Sequence, residues 1–403
     1  MPKKLFYEIL IVTFLGVLAG IFTGLIPGVH INMVSILILS SSPFLLNYFS
    51  PLSLALFIVS MSITHTFLDS IPSIFLGAPD SGLELSVLPG HRLLLDGRGY
   101  EAVFLTIVGS FFAVVIALFF VPTLIPMLEH GYPLIEDYVA YILIAASVIL
   151  IWRESKSRSK SLMVYLLAGL LGLGVLNLPL EQPLFPLLSG LFGTSILIVS
   201  LMAKTKIPEQ RITYPKLEIK ETLTYLGLGF IASLLTGTLP GLGASEAAIM
   251  SSSIKKKNKP EGFLILLGSI NTFVMVVSFI SLYAIDKARN GAVLVISKIL
   301  LEFNFSYLFL FLFASLFVAG VASFLALKIS KIFSKVMSRV NYAKVCMSVI
   351  SLIVILVFLL TGPLGLFVLI VSTLLGITTG LMGIGKNHLM GCLLLPVILF
   401  FLL

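Results

Sequence analysis

Two short motifs in this chain match each other and have the residue types of an anion-binding site built from broken helices. They recur at a constant offset of 213 residues, and each lies between strongly apolar segments. The shared residues are Thr23, Gly24, Pro27 and Gly28 in the first copy, and Thr236, Gly237, Pro240 and Gly241 in the second. Because proline removes a backbone donor and glycine lowers helix propensity, we predict a helix break at each motif. Within a membrane, broken backbone is tolerated only against protein or a water-filled cavity.

The residues that follow each break have the chemistry to hold an anion. A helix that restarts there presents free backbone N–H groups and a partial positive charge, which suit a carboxylate or a phosphate. The predicted substrate-binding residues are Gly28, His30 and Asn32 after the first break, and Gly241, Gly243 and Ser245 after the second. A pair of plain kinks is the alternative, since Pro and Gly are common in membrane helices. Two matched breaks, one in each half, favour a transporter's substrate site.

Polar side chains before and between the breaks have the chemistry to carry a coupling ion, which we expect to be Na⁺ or H⁺. Thr23 and Thr236 offer hydroxyl oxygens, the ligand type that hard cations prefer. His65 and Asp69 are four residues apart and therefore share a helix face, and an ionised Asp69 in hydrocarbon must face protein or water. Two alternatives stay open: Asp69 caps a re-entrant helix, and His65 only makes a hydrogen bond in helix packing.

The sequence contains no nucleophile–base pair, metal-ligand cluster or nucleotide-binding loop. Cys346 and Cys392 lie in apolar segments without metal-ligand spacing. The pair Gly241 and Gly243 lacks the rest of a dinucleotide fingerprint, and there is no Walker motif. We therefore predict no metal, no cofactor apart from the coupling ion, and no enzymatic activity.

The composition is that of an all-α polytopic membrane protein. Hydrophobic residues make up 58% of the 403 residues and charged residues 11%, with a mean hydropathy of +1.13. A soluble globular chain carries about 25% charged residues. The net charge of +8 comes from short basic loops between apolar runs, which is the positive-inside pattern rather than a nucleic-acid signal. We expect a multi-pass protein of the cell (cytoplasmic) membrane, in contact with membrane lipids and with no nucleic acid.

Apolar segments predict about ten to twelve crossings. Segments 29–46 and 242–254 are short or polar enough to be re-entrant. Segments 345–361 and 364–382 are predicted as separate helices. Residues 76–101 are rich in glycine and are predicted as a non-helical loop. Residues 378–388 are predicted as a turn between helices.

The chain divides into two repeats, residues 1–203 and 222–403, joined by a basic cytoplasmic linker at 204–221. His65-Thr66-Phe67 resembles Asn271-Thr272-Phe273, at an offset of 206 residues. Loop 128–137 is acidic, whereas its counterpart 328–344 is basic. Opposite charge in equivalent loops predicts inverted repeats.

The motifs resemble those of the large membrane subunit of tripartite tricarboxylate transporters, the TctA family. Those proteins carry a Gly-x-x-Pro-Gly motif near the N-terminus and again in the second half, matched here by 24–28 and 237–241. They also carry a Pro-Gly element followed by an Asp-Gly-Tyr-like turn and a helix start, of which 88–91 and 96–102 look like a variant. Residues 188–193 are similar to the family's Gly-Leu-Phe before its mid-chain loop.

This resemblance implies a secondary transporter of di- or tricarboxylates, driven by symport of Na⁺ or H⁺. It also implies two partners, a small membrane subunit and a soluble binding protein. Pro27-Gly28-Val29 is in addition similar to polyprenyl-phosphate translocases, so translocation of a lipid phosphate is the alternative function.

Overall fold

Helices form all the regular secondary structure in the part of the chain that the structure describes. The structure is a computed structural model. The described residues are 3–26, 31–77, 87–152, 154, 157–202, 207–238, 247–248, 251, 259–288, 290–337, 339 and 341–403. The prediction of an all-α membrane protein is confirmed, because the structure is 86% helical and eight of the described helices are long and apolar enough to cross a membrane. Four further apolar helices are shorter, so the number of crossings stays a prediction.

The first half is a succession of long helices separated by short ones. A π-helix, Ser189–Thr194, lies between the last two. The α-helices are α1 Lys3–Leu25, α2 Ile31–Leu45, α3 Pro51–Leu68, α4 Ser70–Leu76, α5 Val87–Leu95, α6 Gly99–Ile135, α7 Val139–Trp152, α8 Arg158–Leu176, α9 Leu184–Leu188 and α10 Ser195–Met202.

The second half has a similar order of long and short helices. Residues 207–218, which precede it, form no helix, and a 3₁₀ helix, Lys386–Met390, precedes its last member. The α-helices are α11 Ile219–Thr238, α12 Pro260–Ile285, α13 Gly291–Leu300, α14 Phe305–Met337, α15 Tyr342–Leu381 and α16 Gly391–Leu402.

Helices α3 and α12 form the centre of the molecule. Their membrane candidates are each 83% buried, more than any other candidate span. Local sequence fixes where they begin. Ser50 caps α3 by accepting a hydrogen bond from the Ser53 backbone N–H, and Pro51 and Pro260 occupy the first positions of α3 and α12, where no N–H is needed.

Stripes of small residues hold α1 on α3 and α11 on α12. A Cβ added to Gly20 would lie 2.5 Å from Thr64 Cβ, and one added to Gly229 would overlap Ser269. Small residues let membrane helices approach closely. The stripes correspond at the same offset as the two motifs: Gly16, Gly20 and Gly24 on α1, and Gly229, Ser233 and Gly237 on α11.

The central helices also pack across the two halves. Helix α12 of the second half lies against α6 of the first, where a Cβ at Gly109 would overlap Ile265 O and a Cβ at Gly268 would overlap Thr106 O. Conversely, α3 of the first half packs on α14 of the second half. The halves are therefore interlocked rather than separate bodies. The symmetry axis that relates them stays a prediction, as do the boundaries of the repeats and the linker.

One predicted boundary is wrong and another is confirmed. Helix α5 lies inside the stretch 76–101, where the glycines predict turns, but Gly90 is in a helix and packs on Ile74. The prediction that 345–361 and 364–382 are separate helices is confirmed, because the backbone of α15 breaks at Gly362 (φ 65°, ψ −163°), before Pro363. Each part is about 30 Å long at 1.5 Å per residue, close to the thickness of a bilayer core.

A peripheral bundle, α7–α10 with α15 and α16, packs beside the central helices. A Cβ at Gly172 of α8 would overlap Cys392 O of α16, and a Cβ at Gly190 of the π-helix would overlap Ser372 of α15. The predicted turn within 378–388 is present, with Gly383 at φ 69° after the end of α15.

Candidate functional site

The helices that lead to the two motifs end where the sequence predicts. Helix α1 ends at Leu25 and α11 at Thr238, each two residues before the proline of its Pro-Gly pair, and α2 begins at Ile31. The Pro-Gly pairs themselves, and five predicted substrate-binding residues, lie outside the described residues. These five are Gly28, His30, Gly241, Gly243 and Ser245. Their predicted roles stay predictions.

Three of the four predicted ion-coupling residues meet beside the end of α1. His65 Nδ1 lies 3.1 Å from Thr23 Oγ1, and Thr23 Oγ1 donates to Gly20 O at 3.3 Å. The Thr23 hydroxyl therefore uses its hydrogen on the helix, and His65 Nδ1–H donates to it. His65 Nε2 then faces the Asp69 carboxylate, with Oδ2 3.9 Å away.

Asn271 of the second half completes this cluster. Its Nδ2 donates to Asp69 Oδ2 at 2.7 Å and approaches Thr66 O at 3.5 Å. One amide thus joins α12 to the end of α3. The side chains of His65 and Asp69 are only 3% and 4% exposed, so this contact lies within the protein and not at its surface.

Hydroxyl groups extend the cluster on both sides. Thr272 Oγ1 donates to Thr66 Oγ1 at 3.1 Å, which joins two residues at equivalent positions of the halves. Thr106 Oγ1 of α6 donates to Ser70 Oγ at 3.0 Å, next to Asp69. Five helices from both halves, α1, α3, α4, α6 and α12, therefore supply polar groups around one buried carboxylate.

The fourth ion-coupling candidate, Thr236, is buried but does not join this cluster. Its hydroxyl donates to Ala232 O and Ser233 O of its own helix, at 3.3 and 3.2 Å. Asn32, the described substrate-binding candidate, accepts a hydrogen bond from the Ala292 backbone N–H at 3.1 Å. Asn32 therefore also satisfies a free donor at the start of α13.

A buried carboxylate with these neighbours can carry a proton or help to hold a cation. His65 lies close enough to exchange a proton with Asp69 through a small side-chain movement. The hydroxyl and carbonyl oxygens of Thr66 and Thr23 are ligand types for a hard cation.

Sequence reasoning missed the residues that the second half contributes. Asn271 and Thr272 were recognised only as counterparts of His65 and Thr66, and Thr106 was not noticed. The match of the two tripeptides was the available signal, because equivalent residues of two repeats meet if they lie near the axis that relates them.

A second polar cluster lies in the connection between α15 and α16, which was predicted as a mere turn. Lys386 Nζ donates to Ser195 Oγ at 2.6 Å, and His388 Nε2 lies 3.1 Å from Glu154 Oε2. Burial lowers the pKa of Lys386 to about 7. Burial also lowers the pKa of His388, against the opposing effect of Glu154. This connection lies outside the eight candidate spans.

The fold and the buried polar cluster are those of a multi-pass membrane protein of the transporter class. A profile of the tripartite tricarboxylate transporter TctA family matches residues 10–391, nearly the whole chain. The chain belongs to this family, so the resemblance noted in the motifs is confirmed. The family motif at 188–193 falls on the buried π-helix, a feature frequent at functional sites.

Comparison with individual proteins gives one curated relative of similar length. The chain is 30% identical over 401 residues to the uncharacterized protein MJ1079 of Methanocaldococcus jannaschii, covering 96% of this chain and 98% of the relative. No solved structure matches the chain.

Membership gives the chain a transport role as a component of a tripartite tricarboxylate transporter. In such a system the TctA protein is the large subunit, beside a small subunit and a binding protein. A transporter family is also consistent with the prediction of no enzymatic activity.

Proposed function

We propose that the chain is an ion-coupled secondary transporter of organic anions such as di- or tricarboxylates. The anion is held by helix ends at the two Pro-Gly motifs. Na⁺ or H⁺ is carried at His65 and Asp69 with Thr23 and Thr236, and no other cofactor is needed. The protein works in the cell membrane as the large subunit, with a small membrane subunit and a soluble binding protein.

The observation that carries this proposal is the hydrogen bond between Asp69 and Asn271. It joins a buried titratable side chain of the first half to the second half, at 2.7 Å, beside the end of α1. A buried ionisable group in a membrane protein is costly and is a functional-site hypothesis by default. Its position near the helix end where we place the anion gives a physical route for coupling.

The coupling follows from the chemistry of this contact. Protonation of Asp69, or a cation beside it, removes negative charge from the carboxylate that accepts from Asn271. The bond between the halves is then weakened, because hydrogen bonds to ionised acceptors are roughly twice as strong as neutral ones. Ion binding thus changes the relative stability of two arrangements of α3 against α12, which is what alternating access requires.

Uptake by proteoliposomes tests the proposed function. Purified protein is reconstituted, and uptake of radiolabelled citrate, succinate and malate is measured under an inward Na⁺ gradient or an inward proton gradient. We expect at least one anion to accumulate under one gradient and not without it. No accumulation of any of them, with or without the binding protein and small subunit, contradicts the proposal. Transfer of labelled polyprenyl phosphate between leaflets instead would establish the lipid-phosphate alternative.

The variant Asn32→Asp distinguishes a role of Asn32 in substrate binding from its structural contact with the start of α13. Aspartate keeps the acceptor for the Ala292 N–H, so this contact with the start of α13 is retained. Its negative charge repels an anion held nearby, so we expect uptake to fall at least tenfold while thermal stability is unchanged. Asn32→Ala and Ser245→Ala are expected to weaken uptake as well. Uptake that is unchanged in all three variants would place the substrate elsewhere.

A further inference from the structure

Lys386 is a partly buried cation that no carboxylate of the described residues neutralises. Among the described residues, none of the Asp or Glu side chains lies within ion-pair distance of Lys386, and its hydrogen bond goes to the neutral Ser195 hydroxyl. The nearby Glu154 is engaged with His388. Moving an ammonium group out of water without a counter-charge is unfavourable, so buried charges are normally paired.

The surroundings of Lys386 are rigid and polar. Ser195 is fully buried and donates to Leu191 O at 2.6 Å, which leaves its lone pairs for Lys386. Gly376 of α15 packs so closely on Ser195 that an added Cβ would lie 2.7 Å from Ser195 Oγ. The ammonium is therefore held in place, and two of its three N–H donors have no acceptor among the described residues.

His388 adds a further polar group without a partner. Its side chain is fully buried, and its Nδ1 makes no hydrogen bond in the described structure, while Nε2 faces Glu154. Because the Glu154 carboxylate accepts, Nε2 carries the hydrogen, and Nδ1 becomes a donor when the ring is protonated. The two unused N–H groups therefore belong to Lys386, and His388 adds a further donor in its charged form.

The cluster lies at one end of the peripheral bundle. Glu154 belongs to the connection between α7 and α8, and its contact with His388 brings the α15–α16 connection to the same end. The α7–α8 connection carries Arg153, Lys156, Arg158 and Lys160. Basic connections face the cytoplasm, where anionic lipid headgroups and soluble anions both occur.

We propose that Lys386, positioned by Ser195 and next to His388, forms a second anion-binding site, for a phosphate or carboxylate group. It belongs to the peripheral bundle and shares no residue with the cluster around Asp69. Its ligand is an anionic lipid headgroup or a soluble anion, because both present anionic oxygens that accept hydrogen bonds from an ammonium group.

Thermal stability of the delipidated protein in a neutral detergent tests this site. A thiol-reactive fluorophore reports unfolding, because Cys346 and Cys392 are both buried in the folded chain. One arm adds phosphatidylglycerol, compared with zwitterionic phosphatidylcholine. The other adds inorganic phosphate or citrate, compared with chloride at equal ionic strength. We expect an anion-specific rise of about 2 °C or more in Tm in at least one arm.

Variants assign the rise to Lys386. Lys386→Met and Lys386→Gln should abolish it, Lys386→Arg should retain it, and the exposed Lys344→Met, at the start of α15, should leave it unchanged. Lys386→Gln keeps a donor for Ser195 and serves where Lys386→Met does not fold. A rise only with phosphatidylglycerol identifies a lipid headgroup, and one with phosphate or citrate a soluble anion. No anion-specific rise in either arm, or a full rise in Lys386→Gln, overturns the proposal.

Discussion

The two halves of the molecule share a packing scheme but divide the chemistry between them. Helices α1 and α11 lie on α3 and α12 through equivalent stripes of small residues. At the offset of 206 residues, however, His65 corresponds to Asn271 and Asp69 to Met275. The first half thus holds the titratable pair, while the second supplies a neutral amide and a thioether. Met275 is 4% exposed and its sulfur lies 3.6 Å from Asn290 Nδ2.

Under the proposed function, this difference assigns the ion chemistry to the first half alone. A second buried carboxylate at Met275 would add a further desolvation cost close to the first. One carboxylate facing one amide across the halves is enough to make the contact between them depend on charge.

The largest expected effect comes from removing the charge of Asp69, in the first half. Asp69→Asn keeps the size of the side chain but removes the titratable group, and we expect ion-driven uptake to fall at least tenfold. The matched control is Met275→Leu at the equivalent position, which should leave uptake within about twofold, since volume-conserving apolar exchanges are well tolerated. Equal losses in both variants would mean that the halves are not specialised as described.

A steric change tests the interlocking of the halves. Gly109→Ala places a methyl group against Ile265 O on α12, and we expect a loss of about 1–3 kcal/mol in stability from overpacking. Gly131→Ala in the same helix has open space around its Cβ and serves as the control. Thermal unfolding of both variants in detergent is the measurement. A Gly109→Ala protein as stable as Gly131→Ala would show that α6 and α12 are not in close contact.

The connections that follow α8 and α15 differ in one titratable side chain, and a pH series tests this difference. Leu180 lies in the connection after α8, and Lys386, 206 residues later, lies in the connection after α15. Because burial lowers the pKa of Lys386 to about 7, from its ordinary value of 10.5, the unfolded chain binds the additional proton between these values. Stability from this group therefore rises with pH across that window. His388, whose pKa is also lowered, titrates below it.

The measurement is Tm from pH 7 to pH 9 without added anion. We expect the wild-type protein to gain a few degrees more than Lys386→Met, about the shift that 1 kcal/mol or more produces in a chain of this size. Leu180→Met, the control, should follow the wild-type curve. Identical curves for wild type and Lys386→Met would mean that this amine is not desolvated.

The smallest effect concerns the contact between equivalent threonines. Thr66→Val and Thr272→Val each remove one partner of the same hydrogen bond while keeping the branched shape, so each should cost about 0.6 kcal/mol. The double variant should cost clearly less than the two single losses together, because both remove one interaction. Strictly additive losses in a double-mutant cycle would rule out this contact.

The sequence by itself determined the features that depend on neighbouring residues. Ser50 with Pro51, and Pro260, mark the starts of α3 and α12, because capping and the missing proline N–H act within one turn. The prolines at 27 and 240 likewise predicted the ends of α1 and α11. Composition alone was sufficient to predict a multi-pass membrane protein. The paired motifs were sufficient to predict the family.

Only the tertiary structure decided which distant side chains meet. Asn271 reaches Asp69 across 202 residues of sequence, and Lys386 reaches Ser195 across 191. Neither pair has a local pattern, because each depends on how two separate helices cross. Local glycine content was also misleading at α5, where tertiary packing against α4 and α6 stabilises a helix in a stretch with turn-like composition. The sequence gives the chemical type of each residue. Burial and hydrogen-bond partners depend on long-range packing, and they determine the charge balance of both polar clusters.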